Sequence, residues 1–253
     1  MKIGSDIHAD ISFTGNTVGL DPSSLSRPDT FSFSLTEGEK DFGIPFIFND
    51  TFKKFEIKKE TFPLTTGVSY KFRGLGINKN SSEPVIVAPE FLQLDTILIE
   101  NVRQNIVQGK IVTEVDCNIK IKSPINSNSY FHFIPLLDSS QFFKIKAFHS
   151  NHSAFKRLKH KPGFMVDYAR ILDNEIKITL EATTEKEINF VNFELYNTTL
   201  SYYQYNYYIS NITTDSYTQN SEIPAIAGFN IKSDKAFGTF SAISGITKTI
   251  RIK

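Results

Sequence analysis

Two histidines three residues apart, His149 and His152, have the spacing that places a metal-binding pair on one face of a helix. No glutamate lies between them in the arrangement of a zinc protease. The nearest carboxylates along the chain, those of Asp138 and Asp167, are more than ten residues away. We therefore expect both histidines to be structural or solvent-exposed, and we predict that the chain holds no metal.

A catalytic nucleophile is equally hard to assemble from this sequence. The Gly-x-Ser-x-Gly pattern of a nucleophile elbow is absent, and residues 241–245 have serine and glycine in the wrong frame and read as a turn. The only cysteine, Cys117, alternates with Val115 and Ile119, which is typical of a buried strand residue. Glycine loops for a nucleotide phosphate are also absent. We predict no catalytic residue, no cofactor and no enzymatic activity.

A tyrosine-rich segment, residues 200–211, is the best candidate for a binding surface. Its tyrosines are Tyr202, Tyr203, Tyr205, Tyr207 and Tyr208. Leu200, Tyr203 and Tyr207 fall on one face of a helix that Thr199 or Ser201 could cap, although a tyrosine-rich strand is the rival interpretation. A helix cannot bury all five rings, so some are exposed or contact a partner. The alternative is half-buried packing against a sheet.

The densest charge run covers residues 156–161. Its basic residues are Lys156, Arg157, Lys159, His160 and Lys161. Such a run suits an anionic surface such as lipid headgroups, but it is also typical of a solvated loop. The whole chain has 28 basic and 27 acidic residues, so no global field attracts nucleic acid, and we predict no nucleic-acid partner.

Period-two alternation recurs along the chain and predicts an all-β fold. Val115, Cys117, Ile119 and Ile121 share one face of a strand, while polar residues share the other. Residues 130–137 and 142–148 look like a hairpin joined through 138–140. One-faced patterns of this kind favour antiparallel sheets. We predict two immunoglobulin-like β-sandwich domains, residues 1–88 and 89–253, with one short helix near the C-terminus.

Three segments give the chain a family resemblance. They are the Gly-x-x-Tyr strand at 67–70 with the proline-containing link and Asp-Thr-Ile strand that follow it, the tyrosine-rich segment, and the closing element at 224–242. In these segments the chain resembles envelope lipoproteins of the Bacteroidota that are encoded beside SusC-type TonB-dependent transporters. In the closing element, Asp234 and Ala236 stand where that family usually has glycine. None of the shared segments is a catalytic motif.

The resemblance implies an accessory or binding protein of the cell envelope, associated with nutrient uptake through an outer-membrane transporter. A stand-alone module that binds carbohydrate or peptide through its tyrosines is the alternative. The first 25 residues lack the pattern of a signal peptide, and no lipid-attachment cysteine lies near the start. No apolar run reaches the roughly 18 residues that a spanning helix needs, so we predict no transmembrane segment.

Overall fold

The computed structural model describes residues 1–9, 32–49, 51, 54–75, 83–122, 129–138, 141–149, 152–211, 230–232 and 237–252. In these ranges the named strands pair antiparallel, and one α-helix lies near the C-terminus. The predicted all-β fold with antiparallel sheets and a single helix is therefore confirmed for the described residues. None of their helices is long and apolar enough to cross a membrane.

The first part of the chain builds two small sheets. Its strands are β1 (Ile7–Ala9), β2 (Ser32–Glu37), β3 (Ile44–Pro45), β4 (Ile47–Asn49), β5 (Lys54–Ile57), β6 (Ser69–Leu75) and β7 (Val85–Val87). They are ordered β3-β2-β6-β7 in one sheet and β1-β5-β4 in the other. Alternation is plain in β7, where Ile86 is buried between the exposed Val85 and Val87. Ile86 joins a hydrophobic cluster that includes Leu35 and Tyr70.

The second part builds two larger sheets and the helix. Its elements are β8 (Leu94–Val107), β9 (Lys110–Ile121), β10 (Tyr130–Leu136), β11 (Lys144–Phe148), β12 (Phe155–Arg157), β13 (Phe164–Asp167), β14 (Glu175–Thr184), β15 (Phe190–Thr198), α1 (Leu200–Asn211), β16 (Ile231–Lys232), β17 (Phe237–Gly238) and β18 (Ile243–Arg251). Short 3-10 helices lie at His152–Ala154 and Tyr168–Arg170, and β16 pairs with β17. The five-stranded sheet is ordered β12-β13-β10-β15-β18. The sheet ordered β11-β14-β9-β8 is called the charged sheet below.

These two sheets enclose the larger hydrophobic core. Strand β10 contributes Phe131 and Phe133 from the five-stranded sheet, and β9 contributes Val115 and Cys117 from the charged sheet. Cys117 is buried as predicted, and burial raises the pKa of its thiol to about 12, so the group stays a neutral thiol. Phe133 stacks on Phe164 with ring centroids 5.3 Å apart. Because side chains alternate along β10, Tyr130 and His132 lie on the outer face of the sheet.

The predicted hairpin at 130–148 is wrong. Strand β10 pairs with β13 and β15, whereas β11 pairs with β14 in the opposite sheet. A single bridge between Leu136 and Phe142 is what remains of the expected pairing. The connection crosses from one layer to the other because the apolar residues of the two strands fill the same core from opposite sides. Phe133 comes from β10 and Ile145 from β11.

The end of the chain returns to the first part of the molecule. Phe240 and Ala242 belong to the same hydrophobic cluster as Phe72, and the rings of Phe72 and Phe240 lie 5.6 Å apart. The N–H of Ile3 donates to the carbonyl of Ile243 at 3.0 Å. Apart from this returning segment, one cluster draws on residues up to 88 and the other on residues from 92 onward. The boundary at residue 88 itself stays a prediction.

Candidate binding surface

The tyrosines of α1 are buried to different extents. Tyr202 points toward the five-stranded sheet, and Tyr203, Tyr205 and Tyr208 are half-buried. Tyr207 is 44% exposed, which makes it the most accessible of the five. The helix spans the residues that the sequence predicted and packs on a sheet with part of its tyrosine surface, leaving Tyr207 open to solvent.

An aromatic row runs outward from the sheet along this helix. The ring of Tyr203 lies on Tyr130 of β10, with centroids 4.6 Å apart and planes 31° apart. Tyr207 follows one turn later, 6.0 Å from Tyr203 and nearly parallel to it. Burial raises the pKa of Tyr203 to about 12, so its phenol is neutral at physiological pH. Tyr130, Tyr203 and Tyr207 form what we call the tyrosine row.

The basic run, residues 156–161, lies along the same helix, and we call it the basic strap. The Lys156 ammonium lies 5.0 Å from the ring centre of Tyr207. The Lys161 ammonium lies 4.4 Å from the ring centre of Tyr202 and donates to its hydroxyl at 3.0 Å. Each cation thus lies over a tyrosine face, an arrangement worth about 0.5–1 kcal/mol at exposed sites. The two strongest surface candidates of the sequence form one surface.

His132 anchors the helix from beneath. It is 2% exposed, with Nε2 3.0 Å from the carbonyl oxygen of Pro162 and Nδ1 3.1 Å from the Tyr202 hydroxyl. A carbonyl can only accept, so Nε2 carries the proton, and Nδ1 accepts from the tyrosine. Burial lowers the pKa of His132 to about 4, which keeps the imidazole neutral. A continuous chain of hydrogen bonds therefore runs from Lys161 through Tyr202 and His132 to the backbone of Pro162, the residue after the strap.

A second set of hydrogen bonds fastens the middle of the strap to the helix. His160 Nε2 lies 3.0 Å from Oδ1 of Asn206, and its Nδ1 lies 3.1 Å from the Ser210 hydroxyl. The Asn206 amide nitrogen donates to the carbonyl of Tyr202 at 2.7 Å, so its oxygen is left to accept from His160. Asn206 and Ser210 are buried. These contacts hold the strap in one position along α1.

The start of α1 is tied to the returning end of the chain. Thr199, one of the two predicted caps, accepts the N–H of Ala242 with its hydroxyl at 3.2 Å. Ser201 donates its hydroxyl to the carbonyl of Phe240 at 2.8 Å. Asn230 pairs with both backbone groups of Phe240, at 2.6 and 2.7 Å. The predicted capping hydroxyls therefore connect the helix to the first hydrophobic cluster.

His149 lies on the charged sheet, in contact with Thr179. Its Nε2 is 2.5 Å from the Thr179 hydroxyl, which donates to Asp116 at 2.6 Å. Because the threonine proton goes to the carboxylate, the histidine donates to the hydroxyl oxygen and cannot act as its base. Thr179 is also only 3% exposed. The arrangement is therefore a structural hydrogen-bonded chain.

A shallow depression of about 210 Å³ lies beside this chain. Its lining residues are Glu100, Asp116, Cys117, His149, Lys177 and Ile178. Among the described residues no group of three histidine, cysteine or acidic side chains could hold a metal ion. The side chain of His152 lies outside what the structure describes.

The outer face of the charged sheet is crossed by ion pairs. Arg103 holds Asp116 through two hydrogen bonds of 2.6 and 3.0 Å and contacts Glu114 at 3.2 Å. Lys146 pairs with Glu114 from the other side and with Glu181. The Arg103 guanidinium lowers the pKa of Asp116, and the Lys146 ammonium lowers that of Glu114. Cations and carboxylates on this face balance each other locally.

Sequence reasoning missed the residues that join the strap to the helix. They are His132, His160, Pro162, Asn206 and Ser210. One signal was present, because the Phe-His-Phe order of residues 131–133 places His132 on the outer face of its strand. The order of residues does not show what covers this face; in the structure α1 covers it and the imidazole is buried.

The comparisons with known proteins assign the chain to no family. No protein-family model and no curated protein matches the chain. A solved structure described as "Complete structure of manganese lipoxygenase of Gaeumannomyces graminis and partial structure of zonadhesin of Komagataella pastoris" matches 89% of this chain and 78% of that chain. The match has 10% identity and a TM-score of 0.15, a likeness too weak to carry an argument. Residues 224–229 and 233–236 of the closing element lie outside the described ranges.

Proposed function

We propose that this chain is a non-enzymatic binding protein that holds a carbohydrate chain on the surface formed by the tyrosine row and the basic strap. The observation that carries the proposal is the position of Tyr207. Its ring is exposed at the outer end of a row of near-parallel rings that is anchored in the sheet. A rigid, partly exposed aromatic ring offers contact area at low entropic cost.

The chemistry of the surface suits a sugar better than a folded protein partner. A pyranose ring has a flat face of C–H groups that packs on an aromatic ring, and hydroxyl groups at its rim that bond to polar side chains. Tyr207 offers the ring, Lys156 of the strap lies over it, and Lys159 is exposed on the same strap. An open platform of this kind binds along a chain and needs no deep cavity.

The lack of enzymatic activity is part of the same proposal. It is supported by the hydrogen bonding and burial of two candidate nucleophiles in the described residues. Thr179 gives its proton to Asp116, and Cys117 is a buried thiol whose pKa is raised to about 12. Neither group is a nucleophile in this arrangement.

The cellular setting is proposed from the sequence resemblance. We propose that the chain acts in the cell envelope, beside a SusC-type outer-membrane transporter, where it retains a glycan for uptake. The α1 surface would be the part of the molecule that meets the glycan.

The proposal is tested by calorimetric titration with a fixed panel of soluble polysaccharides: dextran, xylan, polygalacturonate and chondroitin sulfate. At least one should bind, and Tyr207→Ala should weaken that binding by about tenfold, the effect of one well-placed aromatic contact. Phe190→Ala is the matched control, because Phe190 is an aromatic residue of similar exposure, 48%, at the start of β15. Binding by no member of the panel, or equal losses in the two variants, would contradict the proposal.

A further inference from the structure

We infer that the glycan bound by the α1 surface is acidic, a polysaccharide whose carboxylate or sulfate groups are held by the cations of the basic strap. This inference rests on the proposed function and adds the charge of the ligand to it. Its basis is a group of cations in the strap that contact no carboxylate of the described residues and lie beside the tyrosines of α1.

Three cations of the strap, Arg157, Lys159 and Lys161, have no carboxylate partner among the described residues. Arg157 donates instead to the carbonyl of Lys146 at 2.9 Å, and Lys161 donates to Tyr202. Lys159 is exposed. The strap therefore has positive charge available for an external anion.

The helix beside the strap contributes no negative charge. Residues 200–211 contain neither aspartate nor glutamate. The nearby carboxylates are engaged elsewhere: Asp167 pairs with Arg170 at 3.0 Å, and Glu194 accepts the Tyr196 hydroxyl at 2.8 Å. An approaching anion meets cations and aromatic rings here, and the complementary charge must come from the ligand.

The strap is also ordered before any ligand arrives. Its turn closes through the N–H of Leu158, which donates to the carbonyl of Gly163 at 3.3 Å. His160 is fastened to Asn206 and Ser210 on the helix. A charged loop that is already fixed loses little entropy when it binds, which is the condition for a specific site.

The partly buried ammonium group of Lys161 favours an anion at one defined position. Its ammonium is partly buried between the strap and Tyr202, and burial lowers its pKa to about 8. A desolvated cation without a counter-charge is costly, and a carboxylate or sulfate at its open side would offset that cost. The groups that face it, Tyr202 and His132, are neutral at physiological pH.

The composition of the strap favours a glycan over a lipid surface. Two apolar side chains lie in or next to the strap, those of Leu158 and Phe155, and both are buried in the protein. No apolar side chain of residues 155–161 is therefore left to enter a bilayer, which membrane-binding segments usually provide. Tyrosine rings beside cations suit a sugar acid, whose ring packs while its acid group pairs.

The test uses polygalacturonate and its fully methyl-esterified form, which have the same backbone with and without charge. Polygalacturonate should bind at least about tenfold more tightly than the ester, the effect of one or two charge pairs. Lys159→Gln should weaken binding of polygalacturonate about fivefold, on the order of 1 kcal/mol per lysine. Lys110→Gln is the matched control, since Lys110 is an exposed lysine without a carboxylate partner on the β8–β9 hairpin.

The outcomes separate this inference from the function on which it rests. Equal binding of the acid and its ester, with loss on Tyr207→Ala, would overturn the acidic ligand and leave the glycan-binding function standing. Equal weakening by Lys159→Gln and Lys110→Gln would also overturn it, because the attraction would be unspecific. Binding to vesicles with 20% phosphatidylserine, without binding to polygalacturonate or chondroitin sulfate, would overturn it in favour of a lipid. Binding by none of these probes ends both proposals.

Discussion

The two outer faces of the larger sandwich differ in the groups that their cationic side chains contact. On the charged sheet, Arg103 and Lys146 each contact two carboxylates of the same sheet. On the five-stranded sheet, α1 covers the surface, and the cations beside it contact rings and hydroxyl groups. Both faces begin as the polar side of an alternating strand. In our proposal, the cations that lie on aromatic rings are the ones that meet an external ligand.

The covered face also depends on close approach of backbones, and the charged face does not. Gly163 has φ +90°, and a Cβ at this position would lie 2.1 Å from the carbonyl oxygen of Phe133. Gly109, in the turn of the β8–β9 hairpin, has φ +76° and open space around it. The two glycines share a left-handed backbone and differ in crowding.

The largest effect we predict comes from Gly163→Ala. The substitution combines left-handed strain with a backbone clash that the β10 strand cannot relieve, and we expect a loss of about 4 kcal/mol in the free energy of unfolding. Gly109→Ala has the strain alone and should cost about 1 kcal/mol. Urea denaturation of both variants gives the two values. Equal losses would mean that the backbone at Gly163 does not approach Phe133 of β10 as closely as described.

Sequence reasoning was most successful where the signal is local. The spacing of Leu200, Tyr203 and Tyr207 predicted α1 with the bounds that the structure has, because a helical face is set by residues within two turns. The alternation around Cys117 predicted its buried position for the same reason. Both signals are contained in about ten consecutive residues.

The prediction failed where partners are distant along the chain. Residues 130–148 looked like a hairpin because both strands and the turn are local, yet β10 found its partners in β13 and β15. The strap and the helix are about 45 residues apart in sequence, and His132 is about 70 residues from Tyr202. Alternation tells which face a side chain occupies but not which element covers that face.

The second prediction concerns acid stability of the covered face. His132 has a pKa of about 4 in the folded protein and 6.5 when unfolded, so the unfolded state binds its proton first as the pH falls. Stability from the neutral imidazole is complete above pH 6.5 and is lost between pH 6.5 and 4. At pH 5 we expect a loss of about 2 kcal/mol relative to pH 7.5. Urea denaturation at the two pH values measures it.

The variant His132→Gln separates the contribution of the His132 imidazole to acid stability from the contributions of the other titratable groups. It keeps a donor for Pro162 but cannot be protonated, so the pH-dependent loss between 7.5 and 5 should shrink by about the same 2 kcal/mol. The groups that face His132 are Lys161 and His160 from the strap, Tyr202 from α1 and Tyr196 from β15. An unchanged slope in the variant would assign the acid loss to another of the protein's groups.

The smallest effect belongs to the charged face. Arg103 contacts Glu114 and Asp116 at a partly exposed position, so Arg103→Met should lower the melting temperature only slightly, less than either change above. The difference should vanish in 1 M salt, where screening acts within about 3 Å, while the effect of Gly163→Ala persists. The pKa of Asp116 should rise toward its ordinary value, because Arg103 is the main cause that lowers it, and a carbon NMR titration reads this directly. Lys110→Met removes a cation from the same hairpin without touching these carboxylates and should leave that pKa in place. A salt-independent loss in Arg103→Met would mean that the arginine stabilises the sheet by packing, and the contrast between the two faces would then not be one of charge.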